Sequence, residues 1–246
     1  PGAGCISYTS LVVPVSRETT PTYELRGVAL ETLQNRYPEP DWLRVYTDGS
    51  AIGATRSGGA GVFSVAGSIA SPVGRLATSF DGEVRAAVLA LNLINEVGCT
   101  RAVILIDSQA AIVALGSSAR TQSRDVALGR KAIEKLQAGG TTIALQWIPS
   151  HCGIWGNERA DALAREGSQM EMPNSPVAYQ AAKGCIKSCV RERIVESQTQ
   201  AATGKRWSTL LEPKDRVPPN LSRMEAVAGF RHITGHDYLN ASTGSE

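Results

Sequence analysis

Hydrophobic and polar positions fall into three regimes along the 246 residues. Residues 1–41 hold no sustained pattern: Pro14, Pro21, Pro38 and Pro40 interrupt them, and the one helix that the spacing predicts runs from Thr22 to Tyr37, so the segment reads as a linker or extension. From Trp42 the apolar positions alternate. Leu43, Val45 and Tyr46 open a strand expected to stop at Asp48-Gly49-Ser50, a turn signature. A glycine-rich hairpin leads to a second strand over Gly61-Val62-Phe63-Ser64-Val65, and a third is headed by Pro72 and runs through Leu76. The period then lengthens. Val84, Val88, Leu91 and Ile94 recur at helical steps across residues 82–97. Ala102-Val103-Ile104-Leu105-Ile106 is apolar throughout, as a strand covered on both faces should be. Ser108 caps a helix ending near Gly116, Ser123 starts another that reaches Gln137, and Thr142–Ile148 is the fifth strand. A last helix begins at Gly156-Asn157 and ends near Gly167.

The order βββαβααβα predicts an α/β fold: a mixed five-stranded sheet, three antiparallel strands then two parallel ones, with helices on both faces. Its bounds are residues 42–168. Pro173 and Pro176 open the third regime, residues 169–246, a small helical C-terminal extension patterned by Val177, Ala181, Cys185 and Cys189, and later by Met224, Val227 and Phe230.

Composition narrows the classes. An apolar fraction of 42% supports a packed core and excludes a disordered or fibrous chain. The charge is nearly balanced at +2, so any affinity for a polyanion has to come from local clustering. Basic and acidic residues number three and five up to Asp41, twelve and ten from Trp42 to Gly167, and ten and eight beyond. Five cysteines form no regular framework, and the odd count suits a reducing intracellular setting rather than a secreted one. No apolar run of about 18 residues predicts a membrane span, and no basic cluster marks a nuclear signal. The chain begins at Pro1 without a methionine, as a piece of something longer would.

Candidate chemistry lies in four acids. Asp48 is placed at the end of the first strand, Glu83 in the first turn of the first helix, Asp107 at the end of the fourth strand, and Asp161 in the first turn of the last helix. Singly, each is ordinary turn or cap chemistry. Together they fall at corresponding ends of four elements, which in an open sheet converge on one edge. Carboxylates gathered there would repel one another and raise their pKa values unless divalent cations neutralised them. Hard oxygen donors favour Mg²⁺ or Mn²⁺, and two such ions, roughly 3.5–4 Å apart, suit in-line attack on a phosphodiester. His151, in the flexible-looking loop Pro149-Ser150-His151-Cys152-Gly153, is placed to shuttle a proton or help product leave.

Tyr46-Thr47-Asp48-Gly49-Ser50, Glu83-x-x-Ala86, Ile106-Asp107-Ser108-Gln109, and Trp147-Ile148-Pro149-Ser150-His151 through Gly156-Asn157-Glu158-Arg159-Ala160-Asp161 resemble, in order, the motifs of type 1 ribonuclease H. The resemblance implies a ribonuclease H-like fold and hydrolysis of the RNA strand of RNA–DNA hybrids, leaving a 5′-phosphate and a 3′-hydroxyl. It implies metal ligation by Asp48, Glu83, Asp107 and Asp161, a catalytic role for His151, and substrate contacts from Gly49, Ser50, Ser108, Gln109 and Asn157. Glu83 and Gln109 would read the 2′-hydroxyl, which separates RNA from DNA in the minor groove. Two departures stand out: Gly116–Gln122 leaves no room for a basic helical protrusion, and Thr78-Ser79-Phe80-Asp81-Gly82 lacks the asparagine expected to touch the DNA strand.

Flanking segments Tyr37-Pro38-Glu39-Pro40-Asp41-Trp42 and Arg231-His232-Ile233-Thr234-Gly235-His236-Asp237-Tyr238-Leu239-Asn240 resemble those bordering the ribonuclease H domain of non-LTR retrotransposon polyproteins, implying a reverse transcriptase portion upstream as partner. The pairs Cys185/Cys189 and His232/His236 form a Cys₂His₂ set, but more than 40 residues separate them, and cysteines at core spacing are the simpler account. Two other functions compete with hybrid cleavage. One is cutting or joining of DNA by an integrase or transposase, against which the Glu83 helix and the His151 loop argue; the other is an inactive retroelement remnant that only binds nucleic acid or protein partners, against which the full set of acids argues.

Overall fold

The structure is a computed structural model that describes residues 5–16, 19–52, 56–173, 179–205, 208 and 220–234. It divides into two compact units, Pro1–Ala182 and Lys183–Glu246.

The first unit is built on a sheet of six strands, not five: β1 (Ile6–Tyr8), β2 (Leu43–Ile52), β3 (Arg56–Ser64), β4 (Gly67–Gly74), β5 (Arg101–Ile106) and β6 (Thr142–Trp147), in the order β1-β6-β5-β2-β3-β4. β2, β3 and β4 form the antiparallel meander; β5 pairs parallel to β2, and β6 parallel to β5. The extra strand comes from the segment expected to be linker. Ile6, Ser7 and Tyr8 run parallel to β6 opposite Ala144, Leu145 and Gln146. Helix α1 (Thr22–Arg36) follows, and its Leu25, Ala29 and Leu33 are buried in the core with Tyr37. A polar anchor explains the docking. Gln146 is fully buried in a strand, so its amide must find partners. Its Oε1 accepts from Arg36 Nη1 (2.8 Å) and Tyr37 Oη (3.3 Å), and its Nε2 donates to Ser10 O (3.0 Å).

Helices α2 (Ser79–Val97), α3 (Gln109–Gly116), α4 (Arg124–Ala138) and α5 (Trp155–Gln169) complete the unit. A reciprocal cap sets the start of α2: Thr78 Oγ1 accepts from Asp81 N (3.2 Å), and Asp81 Oδ2 accepts from Thr78 N (2.9 Å). Gly98, left-handed at φ +69°, ends it. Ser108 and Ser123 cap α3 and α4, as the sequence predicts. β5 and β6 are buried from their second residues onward.

Three local expectations fail. Asp48-Gly49-Ser50 is not a turn: β2 continues to Ile52 with these residues opposite Gly61, Ala60 and Gly59, the tight contact with α2 accounting for the glycine. Pro72 lies inside β4, tolerated because β4 is an edge strand. Glu83 and Asp161 sit in second turns, because α2 already starts at Ser79 and α5 at Trp155.

In the second unit the described residues form most of α6 (Tyr179–Ala202) and all of α7 (Arg223–Thr234), the helical extension that the pattern predicts. No helix among the described residues is long and apolar enough to cross a membrane.

Candidate active site

Close packing of helix on strand positions the acids. A Cβ at Gly49 would run into the Glu83 amide nitrogen and the Ser79 carbonyl, and one at Gly82 would stand 2.6 Å from Gly59 O, so only glycines let α2 settle on β2 and β3. The same holds on α5, whose backbone at Ala160 and Ala164 touches Gly61 and Gly59. Glu83 is thereby brought from α2 to Asp48 on β2. Asp107 directly follows β5, one step beyond the Thr47–Ile106 pair. Its carbonyl accepts from Trp147 Nε1 (3.1 Å), which ties the ends of β5 and β6 together.

Asp48, Glu83 and Asp107 form the cluster: one carboxylate oxygen from each lies within 4.8 Å of the others. Asp48 and Glu83 are each only 6% exposed. Burial pushes the Asp48 carboxyl up to about 8, reinforced by the charges of Asp107 and Asp161 and opposed by hydrogen bonds from Glu83 and from Gly49 N (2.8 Å). Burial, then the charges of Asp107 and Asp48, raise Glu83 well above the usual carboxylate range. Glu83 Oε2 has no donor among the described residues. Hard carboxylate oxygens that repel one another, with the buried Glu83 Oε2 among them left without a donor, fit a divalent cation.

The fourth acid stands aside. Asp161 is close enough to raise Asp48, yet it is outside the three-acid group and bridges to Arg165 at 2.7 Å, one helical turn on. The Asp161-x-x-x-Arg165 spacing was a legible signal for that pair. His151 is exposed, with a left-handed backbone at φ +52°. Its loop is braced rather than slack: buried Cys152 Sγ donates to Pro149 O (3.3 Å), Gly153 N donates to Glu158 Oε1 (3.3 Å), and Gly153 also lies against the side chain of Arg26 on α1.

The remaining candidates have settled places. Gly49 is the packing contact above, and Ser50 is half-buried in β2. Ser108 Oγ caps α3 by accepting from Ala111 N (3.3 Å). Gln109 is exposed and donates from Nε2 to Thr9 O (2.8 Å). Asn157 is buried in the first turn of α5, its Oδ1 without a partner among the described residues. Cys185 is half-buried and Cys189 exposed on α6; neither joins a metal-holding group among the described residues, and His236 lies outside them.

The RNase H family model matches residues 40–169, more than half of the chain. The chain belongs to the RNase H family. Residues 40–169 are thus a ribonuclease H enzyme domain, of a family that hydrolyses RNA in RNA–DNA hybrids and depends on divalent metal. This RNase H is 28% identical over 144 residues to the ribonuclease H of Polaromonas naphthalenivorans (strain CJ2), covering 52% of the chain and 88% of that relative. Among solved structures, RNase H1 from the halophilic archaeon Halobacterium salinarum NRC-1 aligns at 26% identity and TM-score 0.43, over 51% of this chain and 96% of that one. The N-terminal RNase H domain of a Mycobacterium tuberculosis protein, fused to maltose-binding protein, aligns at 20% identity and TM-score 0.43, over 52% and 99%.

Proposed function

We propose that this RNase H cuts the RNA strand of RNA–DNA hybrids endonucleolytically, leaving a 5′-phosphate and a 3′-hydroxyl, with Mg²⁺ as its resident cation and Mn²⁺ able to substitute. The observation that carries this is the buried cluster of Asp48, Glu83 and Asp107, two of whose carboxyls burial and mutual repulsion raise. These three would hold one cation, and Asp161, released from Arg165, would join Asp48 in holding a second. Bound divalent ions supply Lewis-acid activation of water and charge stabilisation at the leaving 3′-oxygen. The chain's own residues do the rest. Trp147 fixes the backbone of Asp107, and Gly49 admits Glu83 to the cluster. His151, exposed on a braced loop, is placed to exchange protons with solvent. Glu83 and Gln109 are assigned to the 2′-hydroxyl, Ser50, Ser108 and Asn157 to positioning of the bound strand.

An Mg²⁺ titration with a hybrid labelled on each strand in turn tests this: RNA-strand cleavage that rises with Mg²⁺ and yields 5′-phosphate ends supports it, and cleavage indifferent to chelator contradicts it.

The wider setting we infer is a non-LTR retrotransposon polyprotein acting inside the cell, in nucleus or cytoplasm, on template RNA made redundant by an upstream reverse transcriptase. The flanks Tyr37–Trp42 and Arg231–Asn240 support it, the second lying outside the described residues beyond Thr234. Reading the coding sequence immediately upstream of Pro1 tests it; a frame without polymerase motifs would contradict it.

A further inference from the structure

A chain of net charge +2 must gather cations locally to hold a hybrid. The N-terminal extension, with three basic and five acidic residues, is not itself a basic patch, but it sets one cation, Arg26, beside the loop that carries His151. β1 runs parallel to β6, so its carboxyl end, Tyr8 and Thr9, opens on the same sheet edge as the ends of β5 and β6. There Thr9 O takes the side chain of Gln109, two residues past Asp107. α1 reaches the same loop region through Arg26. The Arg26 side chain lies along the loop that carries His151, with Cδ 3.7 Å and Nε and Nη1 3.9 Å from where a Cβ on Gly153 would stand. Arg26 is exposed, and among the described residues no carboxylate ion-pairs with it; the nearby Glu158 is engaged by Gly153 N. Tyr23, 78% exposed, precedes it by three residues and so shares its face of α1.

From this placement we propose that the β1–α1 extension is a nucleic-acid shelf. Arg26 contacts a backbone phosphate of the hybrid where the duplex passes the His151 loop, and Tyr23 packs on the adjoining sugar. The proposal rests on the hybrid-cleaving role above and adds a surface outside residues 40–169. Arg26 is a positioning residue; it touches none of the three acids.

The test uses the full chain, with hybrid binding followed by fluorescence anisotropy in Ca²⁺ over a salt series and cleavage followed in Mg²⁺. Arg26→Gln is expected to weaken hybrid binding several-fold and to lower the slope of log affinity against log salt by about one. The loss should fall on KM rather than kcat, and Arg26→Lys should recover most of it. Lys135→Gln, which removes the same charge from α4, should leave affinity and slope as they were. Unchanged affinity and slope in Arg26→Gln would overturn the shelf, as would a fall in kcat at constant slope, which would mark Arg26 as a brace for the loop. A wild-type chain that neither binds nor cuts the hybrid would overturn the cleavage role itself, an outcome separate from these.

Discussion

Asp48 shows how one residue's chemistry follows from its surroundings. Its carboxyl has an ordinary value of 3.8 and stands at about 8 in the fold, chiefly because it is buried and then because Asp107 and Asp161 face it. A carboxyl raised on folding favours the native state where it is protonated. The stability is therefore fully present below about pH 4 and is lost as pH rises through about 8. With chelator present, the thermal midpoint is expected to fall by several degrees between about pH 5.5 and about pH 8.5. Mn²⁺ or Mg²⁺ should reverse most of that fall, and Asp48→Asn should flatten it; an equal pH slope in wild type and Asp48→Asn would contradict the coupling. Gly49 makes a second residue-scale prediction. A methyl there collides with the Glu83 backbone, so Gly49→Ala is expected to cost about 1–3 kcal/mol in urea unfolding and to weaken Mn²⁺ binding. The sequence showed which acids to watch because four of them recurred at element ends. The i, i+4 spacing of Asp161 and Arg165 made that pair legible without deciding it, since an exposed Arg one turn away is common and its partner depends on where the other acids lie.

At the scale of elements, legibility followed regular pattern. α2, α3 and α4 were readable because each pairs an apolar face with a capping residue, and β5 and β6 because each is a largely apolar run of strand length. β1 was not: three residues, all exposed by side chain, offer no periodicity, and only pairing with β6 defines the strand. The one hint was Gln146, a buried amide in an otherwise apolar strand. The Asp48-Gly49-Ser50 segment misled for the opposite reason. Its residues are those of a turn, yet the tight seat of α2 selects the glycine, and the acid is kept for the cluster. If α1 is core rather than linker, Leu33→Ala should destabilise by about 2–5 kcal/mol, whereas Gln34→Ala, on its exposed side, should stay within about 0.5 kcal/mol. Equal effects in denaturant titrations would return α1 to the status of a linker.

At the scale of the molecule, the family match of residues 40–169 and the first compact unit do not share a boundary. The difference lies largely at the N-terminus, where β1 adds a strand to the sheet and α1 brings Arg26 beside the His151 loop. The second unit contributes α6 and α7, which carry exposed apolar residues such as Ile186, Val190 and Met224. None of the site residues comes from it. The central claim is that the three-acid cluster makes this chain a metal-dependent nuclease for the RNA strand of hybrids. Its most direct test compares wild type and Asp107→Asn on one labelled RNA–DNA hybrid and on the matching DNA duplex in Mg²⁺, with circular dichroism to verify the fold. The expected result is RNA-strand cleavage of the hybrid alone, by wild type alone. Cleavage retained in a folded Asp107→Asn, or duplex DNA cut as fast as the hybrid, would contradict it.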